Sequence, residues 1–220
     1  MEINMGLLRE AYFDVVYPLE VIMIVVVGSK DNSFSFMGDN KERFFNEGDP
    51  NNYYYNELCG HKYILDHFDR FKNDAYVGVE HYRRAFDYSD SFIKELLNVY
   101  DIIVKTEHGP YGTDTNLSVL SHCSRHGLNY LEHATQWVER FPELRQQAME
   151  QTHFGCNMFL CRPKKFKEMM EEEFAYIDEM MKTPGLQQSE ISYFCETILT
   201  PHIIKKHNKN ICVGRVKTFV

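Results

Sequence analysis

An apolar run of seven residues, Val21–Val27, limits the fold of this chain more than any other segment. Its side chains are mostly β-branched and apolar at successive positions, so a strand made from them is buried on both faces, as in the centre of a parallel sheet. The run is too short to cross a bilayer as a helix. It therefore predicts a buried central strand, which ends at Gly28 and Ser29.

Helical patterns and shorter apolar runs alternate after this strand. Further strands are predicted at 75–79, 101–105, 156–161 and 211–214. Helices are predicted from Asn56 to Phe71, from Ser89 or Asp90 to about Leu97, from 117 to 150 with interruptions, from Pro163 to about Met181, and from 186 to about His207. This alternation predicts an α/β fold with a mostly parallel sheet flanked by helices. No repeat or linker divides the chain, so we predict one domain over 1–220, with 1–20 as a candidate N-terminal extension.

The composition is that of a folded domain, with 44% hydrophobic and 14% aromatic residues. The formal net charge of -8 repels phosphate backbones, which argues against a dedicated nucleic-acid binder. The six cysteines include no C-x-x-C pair, which argues against a zinc ribbon and favours reduced thiols. The first 20 residues carry charges and no apolar signal-peptide region. We therefore expect a cytoplasmic protein without stable membrane insertion.

Polar side chains gather where the predicted strand at 75–79 ends, at Glu80, His81, Arg83 and Arg84. Ligands of open α/β sheets bind at the carboxyl ends of strands. Guanidinium groups donate paired hydrogen bonds to phosphate oxygens, so this segment is suited to a diphosphate. It also fits an exposed strand end whose arginines pair with surface acids, and the spacing alone leaves both interpretations open.

The segment YVGVEHYRRAF, residues 76–86, resembles the V-G-x-x-H-Y-R-R-x-F core of a glycosyltransferase-like family of capsular and exopolysaccharide biosynthesis proteins, the domain-of-unknown-function family 4422. Three more segments are similar to that family in the same order: GDNKERFFNEGDPNNYYYNELCGHKYILDHF, YDIIVK and FGCNMFLCRPKKF. The resemblance covers roughly residues 22–215.

This resemblance implies a fold of the GT-A kind, with a nucleotide-binding sheet, and sugar transfer from a nucleotide-diphosphate donor to an unidentified acceptor. The donor-binding positions it implies are Gly28, Ser29, Asp39, Asn56, Glu57, His81, Tyr82 and Asn157. The implied catalytic positions are Arg83 and Arg84 at the departing diphosphate, with Glu190 and Glu196 as candidate general bases on the late helix.

The sequence departs from the wider GT-A pattern because no Asp-x-Asp metal motif follows the second predicted strand; Glu80 and His81 are the nearest substitutes. Mn²⁺ or Mg²⁺ would need oxygen ligands there, whereas two arginines can neutralise a diphosphate without metal, so we favour a site without metal. His122, His126 and His133 share one helical face, but a zinc site needs further ligands. We interpret His126 as an acceptor contact, and the acidic run 171–173 as a solvated helix face.

Two other functions remain open at this point. The missing Asp-x-Asp motif and the unassigned base also fit a non-catalytic module that binds a nucleotide or a glycan. A viral-type transferase that glycosylates modified DNA bases is the other alternative, and its basic face would come from Lys164, Lys165, Lys167, Lys205, Lys206 and Lys209.

Overall fold

The structure is a computed structural model that describes residues 23–28, 41–45, 57–81, 83–105, 107–108, 119–122, 128–151, 153–154 and 157–218. The strands are β1 (Met23–Gly28), β2 (Lys41–Phe45), β3 (Val77–His81), β4 (Arg84–Phe86), β5 (Ile102–Lys105), β6 (Glu107–His108), β7 (His153–Phe154), β8 (Phe159–Cys161), β9 (Ile211–Gly214) and β10 (Val216–Thr218). The helices are α1 (Glu57–Asp66), α2 (Phe68–Phe71), α3 (Asp90–Val99), α4 (Val119–His122), α5 (Leu128–Arg140), α6 (Arg145–Met149), α7 (Pro163–Met180), α8 (Gln188–Phe194) and α9 (Thr200–His207). A 3₁₀ turn (Pro142–Leu144) precedes α6, and a π-helical turn (Cys195–Leu199) joins α8 to α9.

The main sheet is mixed, so the prediction of a mostly parallel sheet is wrong. Its central order is β2-β1-β3-β8-β5-β9, and β4 and β10 continue it from the end of β3. Strand β1 is parallel to β2 and β3, and β5 is parallel to β9. Strand β8 lies antiparallel between β3 and β5. Burial on both faces predicts a central position for a strand but carries no information about its direction.

The apolar runs and most helix boundaries were predicted correctly. Strands β1, β3, β5, β8 and β9 lie at the predicted runs, within two or three residues. Helix α3 has Ser89 as its N-cap, because the Ser89 hydroxyl accepts the Phe92 N–H at 3.3 Å. Helix α7 begins at Pro163, in the first turn where a missing N–H costs nothing.

Helices cover both faces of the sheet. Helices α1, α5, α7, α8 and α9 supply the apolar side chains that pack on the face carrying Val25, Val79 and Val104. On the other face, α3 packs against Ile24, Val26 and Ile103. In the part of the chain that the structure describes, the helices are too short or too polar to span a lipid bilayer.

Candidate functional site

His81 ends β3 at the carboxyl edge of the sheet, and Arg84 begins β4. His81 and Arg84 are partners across the β3–β4 ladder, so their side chains start side by side. The Arg83 N–H donates to His81 Nδ1 at 3.1 Å. Arg84 is half-buried, whereas Arg83 is exposed.

Glu80 holds this hairpin from beneath. Its carboxylate is 1% exposed and accepts the Phe86 N–H at 2.8 Å and the Lys41 ammonium at 2.5 Å. Glu80 thereby connects β2, β3 and β4. These two bonds engage both of its oxygens, so Glu80 supports the hairpin.

Glu57, the first residue of α1, lies against the hairpin in a buried position. Its Oε1 is 3.9 Å from His81 Nε2. Burial, and after it the nearby Glu196, raise the pKa of Glu57 to about 8, with Arg84 and Lys105 opposing the rise. The carboxyl group of Glu57 is therefore largely protonated at neutral pH.

The same surroundings keep His81 neutral. Burial, and after it the charges of Arg84, Arg83 and Lys105, lower the pKa of His81 to about 4. Since Nδ1 of this neutral ring accepts the Arg83 N–H, the ring proton is on Nε2, the nitrogen that faces Glu57.

Lys105 and Glu196 complete the group. Lys105 is the last residue of β5 and is 5% exposed, and its charge acts on both Glu57 and His81. Glu196 is half-buried and lies in the π-helical turn, a kind of turn found frequently at functional sites. Sequence analysis missed Lys105, although a lysine that ends the otherwise apolar run 102–105 was a visible signal. We call these residues the edge cluster: Glu57, His81, Arg84, Lys105 and Glu196.

Asn157 lies beside the edge cluster, just before β8. It precedes Phe159, the β8 residue opposite Val79 in the β3–β8 ladder, by two residues. Its backbone has φ 47°, a left-handed conformation that asparagine tolerates better than most residues. The Asn157 side chain is 3% exposed.

Glu190 is placed differently from the other candidate base. Its carboxylate caps α8 by accepting the Gln187 N–H at 3.1 Å, and it lies 2.8 Å from His133 Nδ1. Gln187 and His133, which Glu190 contacts, are not residues of the edge cluster. Gly28 ends β1 at the same sheet edge. The remaining predicted positions lie outside the described residues: Ser29, Asp39, Asn56, Tyr82 and His126.

The described residues contain no group of three or more His, Cys, Asp or Glu side chains that could hold a metal ion. Several lysines of the predicted basic face are engaged with acids instead. Lys167 pairs with Glu171, Lys205 with Glu150, and Lys206 with Glu172. These pairs reduce the positive field that a nucleic acid would meet on α7 and α9.

Comparison with known proteins places the chain in a family. The family described as a domain of unknown function, DUF4422, matches residues 13–199. The chain belongs to this family. No curated protein matches it in sequence.

A solved structure has a similar fold. The apo structure of the bifunctional glycosyltransferase WbbM superposes with a TM-score of 0.66 at 14% sequence identity. The match covers 90% of this chain but only 45% of that one, so this member of the family spans less than half the length of that protein. At this identity the likeness shows a shared α/β fold.

Proposed function

We propose that this protein is a glycosyltransferase that binds a nucleotide-diphosphate sugar at the edge cluster and passes the sugar to a hydroxyl acceptor. The observation that carries the proposal is that cationic side chains and carboxyl side chains lie together in one small site. Two cations, Arg84 and Lys105, flank two carboxyl groups, Glu57 and Glu196, at the carboxyl edge of β3 and β5. Family membership and the fold shared with a glycosyltransferase support it.

In this proposal the cations hold the diphosphate and stabilise it as it leaves. The guanidinium of Arg84 is the main donor to the phosphate oxygens, because its fork geometry suits bidentate binding. Lys105 adds a second, buried positive charge. Arg83, which is exposed, contributes from the rim of the site. The negative charge that grows on the departing diphosphate is thereby stabilised without reorganisation of solvent.

The two carboxyl groups take different roles. Glu196 accepts the proton of the acceptor hydroxyl as its oxygen bonds to the anomeric carbon, and the bond from that carbon to the phosphate oxygen breaks. Glu57 stays protonated, as its raised pKa requires, and donates a hydrogen bond to bound substrate. We assign the base to Glu196 rather than Glu190, because the carboxylate of Glu190 is engaged with His133 and the α8 cap.

The finer assignments are part of the same proposal. The donor is a nucleotide sugar, the acceptor is a glycan or another hydroxyl compound, and the reaction runs in the cytoplasm in polysaccharide biosynthesis, within one domain over 1–220. Donor contacts from Ser29, Asp39, Asn56 and Tyr82, and an acceptor contact from His126, remain predictions.

Calorimetry followed by a turnover assay tests this function. The protein is titrated with uridine, guanosine and cytidine diphosphates and their sugar conjugates, with and without Mn²⁺, and release of nucleoside diphosphate is then measured. We expect binding of one base class and slow donor hydrolysis that an acceptor accelerates. Binding without any release would favour the non-catalytic module, and the absence of binding to every compound would contradict the proposal.

A further inference from the structure

A layer of polar side chains is buried directly beneath the edge cluster. Thr200 Oγ1 lies 3.0 Å from Asn157 Oδ1 and also contacts the carboxyl group of Glu173. His61 Nε2 donates to the Asn157 carbonyl oxygen at 2.9 Å, and His61 Nδ1 lies 3.5 Å from Glu173 Oε2. We call His61, Glu173 and Thr200 the buried anchor.

The buried anchor is fully enclosed. Glu173 and His61 are 0% exposed, and the His61 ring stands against Phe159 and Phe166, with ring centroids 4.9 Å and 5.9 Å away. The prediction that the run 171–173 forms a solvated face is therefore wrong for Glu173. Successive helical residues point about 100° apart, so Glu171 and Glu173 of one α-helix face solvent and core respectively.

Two helical segments contribute to both the edge cluster and the buried anchor, whereas Glu173 of the anchor comes from α7. His61 is four residues after Glu57 on α1, and Thr200 is four residues after Glu196 at the end of the π-helical turn. Residues at this spacing lie on one side of a helix. Each helix thus gives one residue to the edge cluster and one to the anchor.

Asn157 is the residue on which the anchor converges. Its carbonyl and its Oδ1 are both engaged, whereas its Nδ2 is buried and has no hydrogen-bond partner among the described residues. A buried amide N–H₂ left without a partner is unfavourable, so such a donor points to an acceptor that arrives with a ligand.

We propose that Glu173, Thr200 and His61 are positioning residues that hold Asn157 in its left-handed conformation, so that its Nδ2 donates to an oxygen of the bound sugar nucleotide. The inference rests on the proposed function. The anchor touches no substrate and acts on catalysis only through Asn157. The oxygen that receives this bond belongs either to a sugar hydroxyl or to the diphosphate.

A double-mutant cycle tests the positioning. Thr200→Val removes the hydroxyl and keeps the shape, and Asn157→Gly removes the amide without straining the positive φ. We expect each single variant to lower kcat/KM by about tenfold, the loss typical of one hydrogen bond. The double variant should lose no more than Asn157→Gly alone, and Thr200→Ser should keep most of the activity. Independent, multiplicative losses would overturn the proposal.

Two further measurements distinguish a failure of the positioning proposal from a failure of the proposed function. The same double-mutant cycle can be measured by urea unfolding, which needs no substrate, and the unfolding free energies should show coupling between Thr200 and Asn157. Additive changes in the free energy of unfolding would refute the buried anchor even if no sugar nucleotide is turned over. If the protein turns over a sugar nucleotide, binding is compared in the Asn157→Gly variant. If nucleoside diphosphate and sugar nucleotide bind equally more weakly, the oxygen that accepts from Asn157 Nδ2 belongs to the diphosphate. Weakening of the sugar nucleotide alone assigns it to the sugar.

Discussion

At the scale of single residues, the site contains groups whose pKa differs from that of the same group in water. Glu57 holds its proton because it is buried next to Glu196, while His81 stays neutral because it is buried among cations. Such opposed shifts in one location are typical of functional sites, since folding alone gains nothing from burying them.

This protonation makes a prediction about stability. A carboxyl whose pKa is raised on folding stabilises the fold fully below its unfolded value of 4.5, and that contribution is lost as the pH rises to about 8. The glutamine of the Glu57→Gln variant cannot ionise. Between pH 5 and pH 9 we therefore expect the free energy of unfolding of this variant to exceed that of the parent protein by about 2–4 kcal/mol. Urea unfolding at several pH values measures this.

The exposed Glu95 of α3 provides the matched control. Glu95→Gln should leave the pH dependence of unfolding as it is in the parent protein. If Glu57→Gln follows the parent curve as closely as Glu95→Gln does, then Glu57 ionises normally and its assigned hydrogen-bond donation is wrong.

At the scale of elements, α1 positions the site by its close approach to the sheet. A Cβ added at Gly60 would lie 2.7 Å from Val27 Cγ2 and 3.0 Å from Val79 Cγ2. Glycine here lets α1 lie close to β1 and β3, and this contact sets the height of Glu57 and His61 above the sheet. The π-helical turn carries Glu196, and Thr200 follows it as the first residue of α9.

The direction of the stability change caused by Gly60→Ala tests this packing. Helix propensity alone predicts that Gly60→Ala stabilises the protein by about 1 kcal/mol. Because the new methyl group meets two valine side chains, we expect a loss of about 1–3 kcal/mol instead, with a lower kcat/KM as α1 moves. A gain in unfolding free energy would contradict the close contact of α1 with the sheet.

The elements also show what sequence reasoning can and cannot supply. Apolar runs locate β1, β3 and β5, because burial on both faces leaves a composition signal. Strand β2 was missed, since three of the five residues in Lys41–Phe45 are charged and leave no apolar run to detect. Glu173 was misplaced and Lys105 overlooked, because burial of a single charged residue depends on tertiary partners that no local pattern contains.

At the scale of the whole molecule, a net negative protein carries a positive site. The formal net charge is -8, yet Arg83, Arg84 and Lys105 gather at one edge of the sheet. Such an arrangement favours a compact anion that fits inside the site over a long polyanion, which the net negative charge of the protein repels. Lysines of α7 and α9 are paired with acids, which reduces their attraction for DNA and so also favours a small donor.

The turnover of the Arg84→Ala variant tests the central claim most directly. Removing a preorganised charge partner of the leaving group costs about 2–4 kcal/mol of transition-state stabilisation, so kcat/KM for the nucleotide sugar should fall by about 30- to 1000-fold. Arg84→Lys should recover part of it, and Arg83→Ala should lose less because Arg83 is exposed. Arg140→Ala, at an exposed arginine of α5 that pairs with Glu179, should keep full activity. An Arg84→Ala protein that unfolds at the same temperature as the parent protein and turns over as fast as Arg140→Ala would contradict the claim.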